Sequence, residues 1–125
     1  MKLLLDSHTY LWWLADDQRL GVRARKAITD PANLVLVSAA TIWEIAIKAS
    51  LGRLDLRGAD IVAEIATNRF IELPITATHA AAAAALPRHH DDPFDRMLIA
   101  QVQLEHLRCV TRDPAFSAYH VPTLW

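Results

Sequence analysis

Four acidic side chains stand where a carboxylate is costly or where ligand crevices form. Asp95 lies in His89-His90-Asp91-Asp92-Pro93-Phe94-Asp95-Arg96-Met97-Leu98-Ile99-Ala100-Gln101 and heads an apolar helical stripe continued by Leu98, Ile99 and Val102. An acid on a buried face costs free energy unless something pairs with it. Asp92-Pro93 is a helix start, with Asp as cap and Pro in the first turn. The alternative role for Asp95 is therefore a capping acid at the positive helix end. Asp6 follows the apolar run Lys2 to Leu5, and strand ends of this kind line the crevices of open α/β sheets; its alternative is a cap or turn. Glu44 lies in Ala39-Ala40-Thr41-Ile42-Trp43-Glu44-Ile45-Ala46-Ile47-Lys48-Ala49, a helix apolar nearly all round. An exposed pair with Lys48 at i+4, worth roughly 0.2–0.5 kcal/mol, does not explain an acid there. Asp113, in Thr111-Arg112-Asp113-Pro114, follows another strand, and Asp-Pro is also a common turn pair.

Gathered together, these acids define one chemistry. Two carboxylates about 4 Å apart repel by roughly 4 kcal/mol at an effective dielectric near 20. Several in one pocket either stay partly protonated or bind a cation. A donor set made only of oxygens indicates a hard ion, Mg²⁺ or Mn²⁺. His89, His90, Asp91 and Asp92 have the composition of a zinc site. Adjacent histidines on a short loop rarely share one tetrahedral ion, however, and no second pair stands at ligand spacing. His79, in an alanine-rich helix, reads as structural or exposed.

The elements that must position these residues follow from patterning. Lys2–Leu5, Leu34–Val37, Phe70–Leu73 and the run from Leu107 to Thr111 are short apolar runs without alternation, as in buried parallel strands. Between them, helices are predicted from Ser7-His8-Thr9 to about Asp16, from Arg19 to Ile28, from Ala39 to about Leu51 behind a Ser38 cap, and from Asp60 to Thr67. Further helices are predicted from Thr76 or Thr78 through Ala85, and from Pro93 onward. Tyr119-His120-Val121-Pro122 suits only an edge strand. The expected architecture is α/β: one domain over residues 1–125, with a central parallel sheet and helices on both faces. Right-handed crossovers can bring Asp6, Glu44, Asp95 and Asp113 to one sheet edge.

Composition sets the outer bounds. The chain has 125 residues, 53% hydrophobic and 22% charged, enough for one core without staples. Its single cysteine, Cys109, excludes an internal disulfide framework and fits a reducing cytoplasm. The early Asp6 excludes a secretory leader, and no run reaches membrane-spanning length. A net charge of −1 gives no global electrostatic footprint for nucleic acid, so any such binding must use local patches or a metal.

The motifs around the acids resemble the PIN-domain nucleases, and more closely the VapC-type toxin ribonucleases of bacterial toxin–antitoxin pairs. The resemblance covers essentially the whole chain. It rests on Leu-Leu-Leu-Asp6-Ser-His, Val-Ser-Ala-Ala-Thr-Ile-Trp-Glu44-Ile-Ala-Ile-Lys, His-Asp-Asp-Pro-Phe-Asp95-Arg-Met-Leu-Ile-Ala-Gln and Val-Thr-Arg-Asp113-Pro-Ala-Phe. The third motif is the most specific. The resemblance implies that Asp6, Glu44, Asp95 and Asp113 are catalytic and hold Mg²⁺ or Mn²⁺, and that Asp92 is structural. It implies RNA hydrolysis, a homodimer and inhibition by a cognate antitoxin protein. Ser7 stands where Thr is common in the family and keeps the hydroxyl. Arg96 and Arg112 can contact phosphate, with surface salt bridges as the default for both. Arg23, Arg25 and Lys26 form either part of an RNA track or a solvated helix face. Two other classes compete: a non-catalytic binding module on the same fold, and a Mg²⁺-binding signalling receiver. The receiver lacks its acidic pair near the first strand and its late-strand lysine.

Overall fold

The computed structural model describes residues 1–125. The apolar runs expected to be strands form β1 (Lys2–Leu5), β2 (Leu34–Ser38), β3 (Ile71–Leu73) and β4 (Arg108–Val110), joined by a short β5 (Thr123–Leu124). All pairings are parallel, in the order β3-β2-β1-β4-β5. β1 is central, with Leu5 opposite both Val37 of β2 and Val110 of β4.

Alternate residues of β1 feed opposite faces of the sheet, as strand geometry requires. Leu3 and Leu5 join Tyr10, Ala24, Ile28, Ile45 and Ile65 in one apolar layer. Leu4 joins Leu98, Ile99, Val102 and Phe116 in the other. The covering helices are α1 (Ser7–Leu14), α2 (Val22–Thr29), α3 (Ala39–Ser50), α4 (Ala63–Thr67), α5 (Ala77–Ala85) and α6 (Pro93–Glu105). A 3₁₀ helix, Pro114–Tyr119, precedes β5. No helix is long and apolar enough to cross a membrane.

Four expected features differ. The cap of α1 is Asp6, not a residue of Ser7-His8-Thr9. The second helix starts at Val22, three residues after Arg19, because Asp17 first closes a turn by accepting from the Arg19 amide at 2.8 Å. The edge strand expected at Tyr119–Pro122 forms later, as β5 at Thr123–Leu124, and the 3₁₀ helix takes Tyr119. Asp113-Pro114 repeats the helix-start chemistry of Asp92-Pro93, and Pro122 has no amide to donate. Nor is α3 buried all round, since Trp43 is 59% exposed.

Crossover direction positions the acids. β1, β2 and β4 end at Leu5, Ser38 and Val110, so Asp6, the start of α3 and Asp113 share the carboxyl edge. α6 delivers the chain to the amino end of β4, and its first turn therefore starts near the carboxyl edge.

Candidate active site

Asp6 is buried at the junction of β1 and α1. Its Oδ1 accepts from the Thr9 amide at 2.9 Å, and its Oδ2 accepts from the Thr111 hydroxyl at 2.5 Å. Thr9 in turn donates its hydroxyl to the Val110 carbonyl at 2.8 Å. The end of β4 is thus laced to the end of β1. Thr111 also accepts from the Asp113 amide at 3.0 Å, so one hydroxyl links two of the acids. Asp113 itself is exposed and caps the 3₁₀ helix through the Ala115 amide at 2.9 Å.

Glu44 is buried on the inward side of α3, 6% exposed, although its helix has an open face. Ser7 donates to its Oε1 at 2.5 Å, and Lys48 reaches its Oε2 at 2.7 Å. The expected i+4 pair exists, but its carboxylate side chain is 7% exposed while the lysine is 44% exposed. Ser7 directly follows Asp6, so this bond ties the start of α1 to the middle of α3. Thr41, one turn earlier on the same side of α3, is wholly buried with an unpartnered hydroxyl oxygen.

Asp95 sits in the first turn of α6 behind the Asp92 cap, which accepts from the Phe94 and Asp95 amides. Its Oδ2 accepts from His90 Nε2 at 2.8 Å. Burial pushes the Asp95 carboxyl up to about 6, against the pull of the His90 hydrogen bond, and the charges of Asp92 and Glu44 raise it further. The bond to Asp95 raises His90 in turn. Cys109, wholly buried in β4, has its thiol pushed well up by burial and by the fields of Asp6, Asp95 and Asp113. Asp6, Asp95 and Asp113 thus all act on the Cys109 thiol, while Glu44 acts on Asp95.

The all-oxygen donor chemistry of these acids fits a hard ion such as Mg²⁺ or Mn²⁺, and the Thr41 hydroxyl, one turn before Glu44, is unpartnered. No three acid, histidine or cysteine side chains stand close enough together to enclose an ion. Each acid is instead bonded within the protein: Asp6 to Thr9 and Thr111, Glu44 to Ser7 and Lys48, Asp95 to His90, and Asp113 to Ala115.

Residue pattern alone missed Thr111, Ser7 and His90 as partners of these acids. The signal for Thr111 was a hydroxyl residue two before Asp113, and for His90 a histidine five before Asp95. His79 is structural: buried in α5, it accepts from the Thr76 amide and the Gln101 side chain through Nδ1 and donates through Nε2 to Glu105 at 2.8 Å. Neither Arg96 nor Arg112 forms the surface salt bridge expected by default. Arg96 is buried among carbonyl oxygens, and Arg112 lies over Trp12 with its guanidinium carbon 4.5 Å from the ring centroid.

A pH dependence of stability follows. Asp95 goes from an ordinary value of 3.8 to about 6 on folding, so the metal-free folded protein binds the extra proton. Its contribution therefore falls as pH rises across that interval and stays low above it. His90 acts in the same sense: raised above 6.5, its contribution is present below that value and lost as pH rises through the higher one. In chelator, Asp95→Asn should stabilise the protein by about 1–2 kcal/mol near neutral pH, discounting 1.36 per unit for partial exposure. Near pH 4 the gain should almost vanish. Urea unfolding at the two pH values checks this, and an equal difference at both would contradict it.

The fold and these acids place the chain among known proteins. The family model for the PIN domain matches residues 3–121. The chain belongs to the PIN domain family. It is 33% identical over 129 aligned positions to Ribonuclease VapC22 of Mycobacterium tuberculosis, an alignment covering 98% of each chain. Its fold is similar to that of VapBC2 from Rickettsia felis bound to a DNA fragment from its promoter, with TM-score 0.72, 11% identity, and 99% and 98% of the two chains covered. A toxin–antitoxin complex from Klebsiella pneumoniae gives TM-score 0.65 at 21% identity, with 98% and 96% covered.

Proposed function

We propose that the chain is a metal-dependent endoribonuclease toxin that hydrolyses RNA phosphodiester bonds and is neutralised by a cognate antitoxin. The observation that carries this reading is that Asp6 and Asp113 follow the carboxyl ends of β1 and β4, Glu44 lies on the helix after β2, and the half-buried Asp95 feels the Glu44 charge. The likeness to a named ribonuclease over nearly the whole chain supports it, as do solved neighbours that are toxin–antitoxin complexes.

Asp6, Asp95 and Asp113 are the proposed ligands of Mg²⁺ or Mn²⁺. Glu44 either joins them or orients the attacking water. Bound there, the ion supplies positive charge to the scissile phosphate and lowers the pKa of a water. Thr111 and Ser7 hold Asp6 and Glu44 in fixed orientations, which lowers the ordering cost of the loaded site. Lys48 and His90 neutralise Glu44 and Asp95 until those carboxylates are needed. Hydrolysis is by in-line attack of water, with no covalent enzyme intermediate. We further propose that residues 1–125 act as one unit, as a homodimer, in the cytoplasm.

Metal removal tests the reading. Chelation should abolish cleavage of bacterial RNA, and adding back Mn²⁺ or Mg²⁺ should restore it. The ion should also stabilise the wild type by roughly 2.7 kcal/mol at a hundredfold excess over its dissociation constant, and Asp95→Asn by less. Undiminished cleavage in chelator would contradict the metal role.

A further inference from the structure

We propose that Arg112, laid on the indole of Trp12 beside Asp113, grips the RNA backbone next to the acids; this rests on the ribonuclease reading above. Most cations near the ends of α1 and α3 are already committed. Arg19 pairs with Asp17 at 2.7 Å, Arg25 with Asp16 at 2.9 Å and Lys48 with Glu44 at 2.7 Å. Arg96 is spent on backbone carbonyls. Lys2 and Arg108 open strands at the opposite sheet edge, and α2 carries Arg23 and Lys26 toward that edge.

Arg112 differs from all of these. It stands between Thr111, whose hydroxyl binds Asp6, and Asp113. It is exposed, and its side chain makes no hydrogen bond or ion pair within the protein. Asp17, which feels its charge, is already held by Arg19.

The platform beneath it is rigid. Trp12 is 8% exposed and meets the Trp125 ring edge-on at 5.7 Å, and His8 packs against it at 5.5 Å. Trp125 in turn fills the space beside Gly21, where a Cβ would come within 2.7 Å of its indole nitrogen. A guanidinium stacked on an aromatic face keeps its N–H edge free, and that fork matches a phosphate. The structure therefore offers an oriented cation outside any ion pair, set in the chain between Thr111 and Asp113, in a protein of net charge −1.

The test compares wild type, Arg112→Gln and Arg112→Lys on total bacterial RNA with Mn²⁺, reading initial rates against RNA and salt concentration. Arg112→Gln should raise KM roughly tenfold, as expected for one charge-assisted contact, and leave kcat nearly unchanged. The logarithmic salt dependence should shrink by about 0.7, the value of one single-strand phosphate. Arg112→Lys should recover the salt dependence but only part of the KM, since it keeps the charge and loses the fork. Thermal unfolding should fall only slightly in Arg112→Gln, which loses the stacking on Trp12 but no hydrogen bond or ion pair. A wild-type KM in Arg112→Gln, or a raised KM with a wild-type salt dependence, would overturn the assignment. So would an Arg112→Lys protein whose salt dependence matches that of Arg112→Gln. A wild type that cleaves no RNA would remove the ribonuclease reading and this one with it, and that failure shows in the unmutated protein.

Discussion

Replacing Arg96 by methionine is expected to cost about 3–5 kcal/mol of stability, the range for stripping the partner from buried, committed polar groups. The guanidinium is 6% exposed and faces no carboxylate. One terminal nitrogen donates to the Pro87 and His90 carbonyls at 3.0 and 3.1 Å, and the other to those of Ala83 and Leu86 at 3.0 and 2.9 Å. Those carbonyls are the unsatisfied end of α5 and the loop that follows it. Arg96 therefore acts as the C-terminal cap of α5, supplied from α6. Methionine keeps the packing of the stem and removes every donor. Lysine, with three donors and no planar fork, should recover only part of the loss. The damage should spread to the site, because the same nitrogen that binds Pro87 holds the His90 backbone, and His90 binds Asp95. Urea unfolding measures the effect; a loss below about 1 kcal/mol would mean the loop satisfies its carbonyls another way.

What the sequence revealed of this fold was what depends on local pattern. Unbroken apolar runs such as Leu3-Leu4-Leu5 require burial on both faces, and that demands a parallel sheet between helix layers. Asp92-Pro93 and Ser38 marked helix starts because a cap is chemistry within a few residues, and both cap as expected. The tail gave an edge strand as expected but misplaced it, because the 3₁₀ helix capped by Asp113 runs to Tyr119 and delays the strand to Thr123. The acids could be picked out as misfits in their helices and strand ends. Their partners could not: Thr111 and Asp6 are 105 residues apart, and Ser7 and Glu44 are 37 apart. Arg96 was legible in part, since Ile99 and Ala100 follow it at helical spacing and place it on the apolar side of α6. Its carbonyl partners became visible only once α5 and α6 were packed together.

The central claim is that the half-buried acid in the first turn of α6 works on RNA, and replacing Asp95 by asparagine tests it most directly. Asparagine keeps the size of the side chain and an oxygen that can accept from His90, but it loses the negative charge that a divalent ion needs. The Asp92 cap and the stripe of Leu98, Ile99 and Val102 do not depend on that charge, so the helix should stay intact. The protein should be soluble, cooperatively folded and slightly more stable without metal. Its cleavage of bacterial RNA should fall by at least about a thousandfold, roughly 4 kcal/mol of transition-state stabilisation, because every interaction routed through that charge goes with it. Growth arrest on expression should disappear in parallel. The measurement is RNA cleavage by purified wild type and Asp95→Asn, side by side with Mn²⁺, with circular dichroism confirming that both are folded. Cleavage by the wild type and none by the variant is the expected result; a folded Asp95→Asn protein that cleaves as fast as the wild type would contradict the account.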